Sequence, residues 1–215
     1  MTDRGLRDQL VDHARRMIAA GLVRGTSGNL SARTEEREAF LITPSGVDYE
    51  TMRAEDIVLV ALDGTAAAHP LKPSVDTPIH AAIYRVRADV GACVHTHSTY
   101  ATAFSVVRRD VPAYSVETGG FLGGAVRVIG YVPPSRPDTG DAVAAGLAGS
   151  RGVLLPNHGV MAVGETLAKA FAAAVAIEES AHLAFIALQL GQAAAVPDDE
   201  ITRINDFIHH HYGQV

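Results

Sequence analysis

Two histidines one residue apart constrain this chain more than any other feature. The run Ala92-Cys93-Val94-His95-Thr96-His97-Ser98 is apolar at its start and reads as a strand, so His95 and His97 project from one face of a sheet. A third histidine, His158, follows the apolar run Gly152-Val153-Leu154-Leu155-Pro156-Asn157, and Gly159 after it lets the backbone bring His158 close. A carboxylate, Asp76, lies upstream in Lys72-Pro73-Ser74-Val75-Asp76. Three neutral imidazoles with one displaceable position describe a catalytic divalent site, most naturally zinc, because a closed structural site asks for four firm ligands and usually thiolates. A lone His-x-His on a strand is more often hydrogen-bonded structure than metal, and it is the three signals together that reverse the balance. The other histidines read differently. His13, His69 and His182 look like ordinary helix or loop residues, His80 looks like a packing residue one turn after Asp76, and the run His209-His210-His211 reads as native.

With 215 residues and 47% apolar content, the chain can bury a substantial core as one domain over 1–215, of mixed class. The alanine-rich stretch 167–190 carries Lys169, Glu178, Glu179 and His182, which marks a soluble helix rather than a membrane span. The N-terminal pattern is amphipathic and lacks the features of a secretory signal, so a cytoplasmic location is expected. Cys93, the single cysteine, sits in an apolar strand and reads as a small buried hydrophobe, without a disulfide or redox role. A formal charge of -6 with scattered basic residues argues against a nucleic-acid partner. Small anions remain open as ligands, because they need local amides rather than global charge.

Leu6, Leu10, Val11, Ala14, Met17 and Ile18 keep helical spacing, and Gly21 stands where a stop is expected. Strands are predicted over 40–43, 57–62, 91–97, 126–131 and 153–155, with 160–163 as a hairpin partner of the last. Helices are predicted over 76–86, with Ser74 available as its cap, through Tyr100 and Phe104, over 167–190, and near the C-terminus, where Ile204, Phe207 and Ile208 share a face. Residues 133–137 mark a loop. A central sheet flanked by helices is the economical α/β architecture.

Two loops have the composition of an anion site. Gly25-Thr26-Ser27-Gly28-Asn29-Leu30-Ser31 and Thr43-Pro44-Ser45-Gly46-Val47-Asp48 supply small residues, hydroxyls and close-approaching amides, and Ser74 adds another hydroxyl beside Asp76. Neither loop ends in Gly-Lys-Ser/Thr, so a nucleoside triphosphate is not implied.

Taken in order, Gly-Thr-Ser-Gly-Asn-Leu-Ser, Thr-Pro-Ser-Gly-Val-Asp-Tyr, Pro-Ser-Val-Asp, Val-His-Thr-His-Ser and Asn-His-Gly-Val closely resemble the class II aldolase/adducin family. The resemblance implies a three-layer α/β/α fold with a central, mainly antiparallel sheet, and a homotetramer with active sites between adjacent subunits. It implies zinc on His95, His97 and His158, and a sugar phosphate held by Gly28, Asn29, Ser45, Gly46 and Ser74. Family aldolases carry glutamate where this chain has Asp76, whereas the epimerases carry aspartate. The epimerases also use an aspartate after the His-x-His helix, and Gly120 stands at that place here. A Tyr-Gly pair near the C-terminus, here Tyr212-Gly213, fits the aldolases, while Tyr114 is displaced from their middle-segment tyrosine.

The expected reaction is therefore zinc-assisted cleavage of a phosphorylated ketose such as L-fuculose 1-phosphate, with epimerase or β-keto acid decarboxylase chemistry as the alternative. Cleaving a carbon-carbon bond beta to a ketone leaves an enediolate, whose charge a Lewis acid stabilises. Asp76 would exchange a proton with the enediolate carbon, and Tyr212 of an adjacent subunit would serve the alcohol oxygen. Lys72 and Lys169, the only lysines, are poor candidates for an imine mechanism. A non-catalytic adducin-like scaffold would lose the metal histidines, and this chain keeps all three.

Overall fold

The computed structural model describes residues 3–133, 136 and 138–211. Six strands form its sheet: β1 (Asn29–Arg33), β2 (Ala39–Ile42), β3 (Val58–Ala61), β4 (Ala92–Thr96), β5 (Gly152–Leu155) and β6 (Gly159–Gly164). Their spatial order is β3-β2-β1-β4-β6-β5, and every neighbouring pair is antiparallel. Among the described residues seven α-helices surround them: α1 (Asp3–Ala19), α2 (Thr77–Val86), α3 (Thr99–Val106), α4 (Val116–Leu122), α5 (Thr139–Leu147), α6 (Leu167–Leu190) and α7 (Asp198–His210).

Period-two alternation divides the core into two layers. Leu30, Val94 and Val160 join Leu10, Met17, Phe104 and Ile177 on the α1, α3 and α6 side. Phe40, Cys93 and Val163 join Ile83 of α2 and Val143 of α5 on the other side. This is the three-layer arrangement expected. Burying a side chain such as Ile177 contributes roughly 1.5–3 kcal/mol, so the two apolar layers dominate the stability. Cys93 is buried, and burial pushes its thiol up to about 12, as an inert hydrophobe requires. Helix α6 is long and apolar enough to cross a membrane, yet it lies along the sheet with one face buried, capped by Thr166, whose hydroxyl accepts from the Lys169 amide at 3.2 Å.

Several predicted elements change. Strand β1, read as part of a loop, is central: Asn29-Leu30-Ser31-Ala32-Arg33 sends Leu30 and Ala32 to the α1/α6 side. Ser31 is turned to α2, where it bonds His80 and Tyr84. Residues 126–131 form no strand; they are held by isolated bridges, Val126 to Val111 and Val128 to Leu154, and by the Val128 amide donating to Asp110 Oδ1 at 2.8 Å. Helices α4 and α5 were not predicted. Ser74 does not cap α2. Asp76 holds the N-cap position without a side-chain cap bond, and the Ser74 hydroxyl instead accepts from the Asp76 amide at 3.2 Å, a local turn that competes with capping. Pro78 then sits in the first turn of α2, where its missing N–H costs nothing.

Helix α7 packs on α4. Ile201 and Ile204 are buried, Asn205 Nδ2 donates to the Gly120 carbonyl at 2.6 Å, and Phe207 is exposed rather than part of the apolar face. A Cβ on Gly120 would stand 2.4 Å from Ile204 Cγ2, so only glycine fits beneath α7.

Candidate active site

The histidines converge because β4, β6 and one tight turn converge. His95 lies near the end of β4 on the side of Cys93, fully buried, and its Nδ1–H donates to the Val160 carbonyl of β6 at 2.8 Å. That bond fixes the tautomer and leaves the Nε2 lone pair directed into the site. Burial, the largest effect, pushes the His95 imidazole down to about 3 against the opposing charge of Asp76, so it is neutral at physiological pH.

His158 ends the turn Leu155-Pro156-Asn157-His158, closed by its amide donating to the Leu155 carbonyl at 3.1 Å. Proline at the second position and Asn157 at φ 56° at the third are the requirements of a type II turn. Gly159 then starts β6 so close to β4 that a Cβ would lie 2.1 Å from the Thr96 carbonyl oxygen and 3.0 Å from His97 Cδ2.

His95 Nε2 lies 3.0 Å from His97 Nε2 and 3.3 Å from His158 Nε2, and the three ligand atoms fall within 4.8 Å of one another. Metal–nitrogen bonds of about 2.0–2.1 Å in tetrahedral array separate the nitrogens by roughly 3.3 Å. The donor set thus fits a small divalent ion. Among the described residues it is the one cluster of three or more metal-ligating side chains. Burial also lowers the His97 imidazole, helped by His158 and opposed by Asp76.

Asp76 stands at the edge of this cluster, with Oδ2 at 3.7 Å from His95 Nε2. Burial would raise its carboxyl, but His95, a hydrogen bond from Asn29, His80 and His158 together hold it below the usual range. Asn29 Nδ2 donates to Asp76 Oδ2 at 2.7 Å, and the Asn29 carbonyl oxygen lies 2.6 Å from His80 Nε2. His80 Nδ1 lies 2.6 Å from Ser31 Oγ, which is 2.7 Å from the Tyr84 hydroxyl. His80 is therefore a hydrogen-bonded relay member and not mere packing. Burial, its largest effect, pushes the His80 imidazole down to about 4, with Asp76 opposing.

The loops predicted for phosphate gather beside Asp76. The Ser45 amide donates to the Lys72 carbonyl at 3.0 Å and the Ser74 amide to the Thr43 carbonyl at 3.1 Å, which stitches the loop bearing Gly46 to that bearing Ser74. Gly28, at φ 72°, approaches β4 so closely that a Cβ would stand 2.6 Å from the His95 carbonyl oxygen, and its own carbonyl accepts from Tyr49 Oη at 2.5 Å. The Asn29 side chain is committed to Asp76 and His80, and its backbone is paired with His95 in the β1–β4 ladder. Tyr114 packs with the α1/α6 cluster, across the sheet from the histidines. Tyr212 lies outside the described residues. Sequence reasoning missed Ser31, Tyr84 and the relay role of His80; the signal for them is the alternation of β1 set against positions 76, 80 and 84 of α2.

A cavity of about 130 Å³ opens next to the cluster, with Asp76 and His158 on one side and Ile79, Ile129, Val143 and Leu155 among its apolar walls. It was not visible in the sequence, because its walls come from four separate segments.

Comparison with known proteins agrees with this geometry. Residues 8–185 match the family model described as Class II Aldolase and Adducin N-terminal domain. The chain is 34% identical to the 5-deoxy-D-ribulose 1-phosphate aldolase of Bacillus thuringiensis serovar kurstaki, over 92% of each chain. It is 35% identical to the 5-methylthioribulose-1-phosphate/5-deoxyribulose-1-phosphate aldolase of Rhodospirillum rubrum, over 93% of this chain and 89% of the relative. It is 33% identical to an L-ribulose-5-phosphate 4-epimerase of Salmonella paratyphi B, over 90% of each. Among solved structures, an L-fuculose 1-phosphate aldolase superposes with a TM-score of 0.91 at 29% identity, covering 95% of this chain and 96% of that one. The chain belongs to the class II aldolase and adducin family.

Proposed function

We propose that this enzyme cleaves a ketose 1-phosphate with an unoxygenated terminal carbon, of the 5-deoxyribulose 1-phosphate type, into dihydroxyacetone phosphate and a short aldehyde. The observation that carries this choice is the largely apolar cavity against Asp76 and His158, walled by Ile79, Ile129, Val143 and Leu155. A methyl or methylthio end placed there gains roughly 0.8 kcal/mol per buried carbon. An apolar pocket rejects the same substrate bearing an added hydroxyl by up to roughly 100-fold. The names of the two aldolase relatives point to the same substrate class.

In this reading His95, His97 and His158 hold one divalent ion, zinc by their all-nitrogen character, with Asp76 at its edge. When bound, that ion supplies Lewis-acid stabilisation of the charge that develops at the ketone oxygen. Gly28, Ser45, Gly46 and Ser74, with Asn29 between the phosphate loop and Asp76, orient the phosphate and so fix the C3–C4 bond beside Asp76. As that bond breaks, the C4 hydroxyl gives up its proton and the C3 carbon of the enediolate gains one, so the protons balance. Asp76 delivers the proton at C3, and Tyr212 of a neighbouring subunit receives the one from the C4 oxygen.

The family's epimerase chemistry fits less well, since Ile204 leaves no room for an acid at Gly120. A shared site implies a homo-oligomer, for which a tetramer is the family expectation. Exposed Leu183, Phe185, Ile186 and Leu190 on α6, with Val106 and Val107 at the end of α3, supply apolar surface for it. A soluble, cytoplasmic enzyme of sugar-phosphate metabolism follows. The test offers the metal-loaded protein 5-deoxyribulose 1-phosphate, L-fuculose 1-phosphate and ribulose 5-phosphate in parallel. Dihydroxyacetone phosphate should appear fastest from the first, whereas xylulose 5-phosphate as the main product would overturn the reading.

A further inference from the structure

We propose that Tyr84, Ser31, His80 and Asn29 form a one-way hydrogen-bond chain that aims the Asp76 carboxylate at the reacting carbon, with His80 as the positioning residue at its centre. The inference rests on the aldolase reading above. It starts from a match of spacings. Asp76, His80 and Tyr84 recur every four residues along α2, a rise of about 6 Å per step. Asn29 and Ser31 recur every two residues along β1, a rise of about 6.8 Å. The two elements therefore interleave side chains in the order Asp76, Asn29, His80, Ser31, Tyr84, and each successive pair is hydrogen-bonded at 2.6–2.7 Å.

The direction of every bond follows from the first. A carboxylate only accepts, so the Asn29 amide nitrogen donates to Asp76 and its carbonyl oxygen is turned to His80. That oxygen requires a proton on His80 Nε2. A neutral imidazole has one N–H, so Nδ1 accepts from the Ser31 hydroxyl. Ser31 Oγ, its proton spent, then accepts from the Tyr84 hydroxyl. Asn29, Ser31, His80 and Tyr84 are all buried, so no water competes to reverse a link, and each broken link would strand a buried polar group. Asn29 cannot flip its amide without facing its oxygen to the carboxylate. Asp76 is thereby held anionic and in one orientation.

The experiment uses the metal-loaded protein and dihydroxyacetone phosphate in deuterium oxide, following by proton NMR the exchange of the C3 hydrogen that Asp76 would remove. No aldehyde is needed. Absence of exchange in the unmodified protein would defeat the aldolase reading itself. Given exchange, His80→Leu should slow its maximal rate by roughly 10–100-fold, with the KM for dihydroxyacetone phosphate and the metal content unchanged. His80→Gln, whose amide can donate to Asn29, should recover the rate to within about threefold of the unmodified protein. Equal exchange in His80→Leu and the unmodified protein, or no recovery in His80→Gln, would overturn the proposal. If His80→Leu does not fold, Ser31→Ala carries the test: a slower maximal rate at unchanged KM supports the chain, and an unchanged rate overturns it.

Discussion

Replacing Gly159 by alanine should weaken metal binding more than any substitution that leaves the ligands intact. The added Cβ would stand 2.1 Å from the Thr96 carbonyl oxygen and 3.0 Å from His97 Cδ2. A carbon and an oxygen need about 3.2 Å or more, so β4 and β6 must separate locally by about 1 Å. Neither side yields easily, because Thr96 pairs with Val160 and both are fully buried. Overpacking of this kind costs roughly 1–3 kcal/mol of folding stability. Its geometric effect is larger. Metal–ligand distances tolerate only about 0.2 Å, and the displaced strands carry His97 on one side and His158 on the other. Affinity for a divalent ion should fall by at least about tenfold. Calorimetric titration of chelator-stripped Gly159→Ala, with thermal unfolding alongside, measures both quantities. Gly64→Ala is the control: at φ 92° it is strained, but its Cβ would meet nothing within 4 Å, so it should lose stability alone. A Gly159→Ala protein that binds metal as tightly as the unmodified one would refute the argument that this contact sets the site.

Other expectations follow from the same geometry. Asp76→Asn should lower turnover by roughly 100-fold or more with the fold intact, as proton transfer requires, and near-normal turnover would reduce Asp76 to a structural role. His80 and His95, pushed down to about 4 and about 3 by burial, refuse protons that the unfolded chain accepts near its ordinary 6.5. The stability of the metal-free protein should thus be full above about pH 6.5 and decline as pH falls toward 4, by about 3 kcal/mol from His80 alone. Urea midpoints flat across that window would contradict it. Mixing inactive His95→Ala with inactive Tyr212→Phe should restore activity after subunit exchange, because some sites then combine an intact metal with an intact tyrosine; no recovery despite proven exchange would count against a shared site.

What the sequence disclosed depended on whether a pattern was local. His95 and His97 are readable because a strand's period of two is unconditional, and the Pro156-Asn157 turn announces where His158 must lie. The strict alternation of Asn29-Leu30-Ser31-Ala32-Arg33 was equally available, but its glycine-rich approach reads as loop, and three of its five residues are polar. Those polar residues make sense only opposite α2. Asn29 and Ser31 complete the chain to Asp76, while Arg33 spans to the Val90 carbonyl at 3.0 Å. His80 was opaque for the same reason, since its partners lie 49 and 51 residues away in sequence. The run 126–131 misled in the opposite direction: its β-branched residues suit a strand, yet single bridges at Val126 and Val128 and a side-chain bond to Asp110 take the place of a ladder. Helix α4, with Gly119 and Gly120 inside it, has poor intrinsic propensity and forms because Ile201 and Ile204 close over those glycines.

Metal-dependent cleavage between C3 and C4 of a 5-deoxyketose 1-phosphate is checked by quantifying the products from 5-deoxyribulose 1-phosphate before chelation, after chelation and after restoring a divalent ion. Dihydroxyacetone phosphate and acetaldehyde should form in equal amounts, abolished by the chelator and recovered with the ion. Cleavage that persists in fully metal-stripped protein, or metal-loaded protein that leaves the substrate intact, would contradict it.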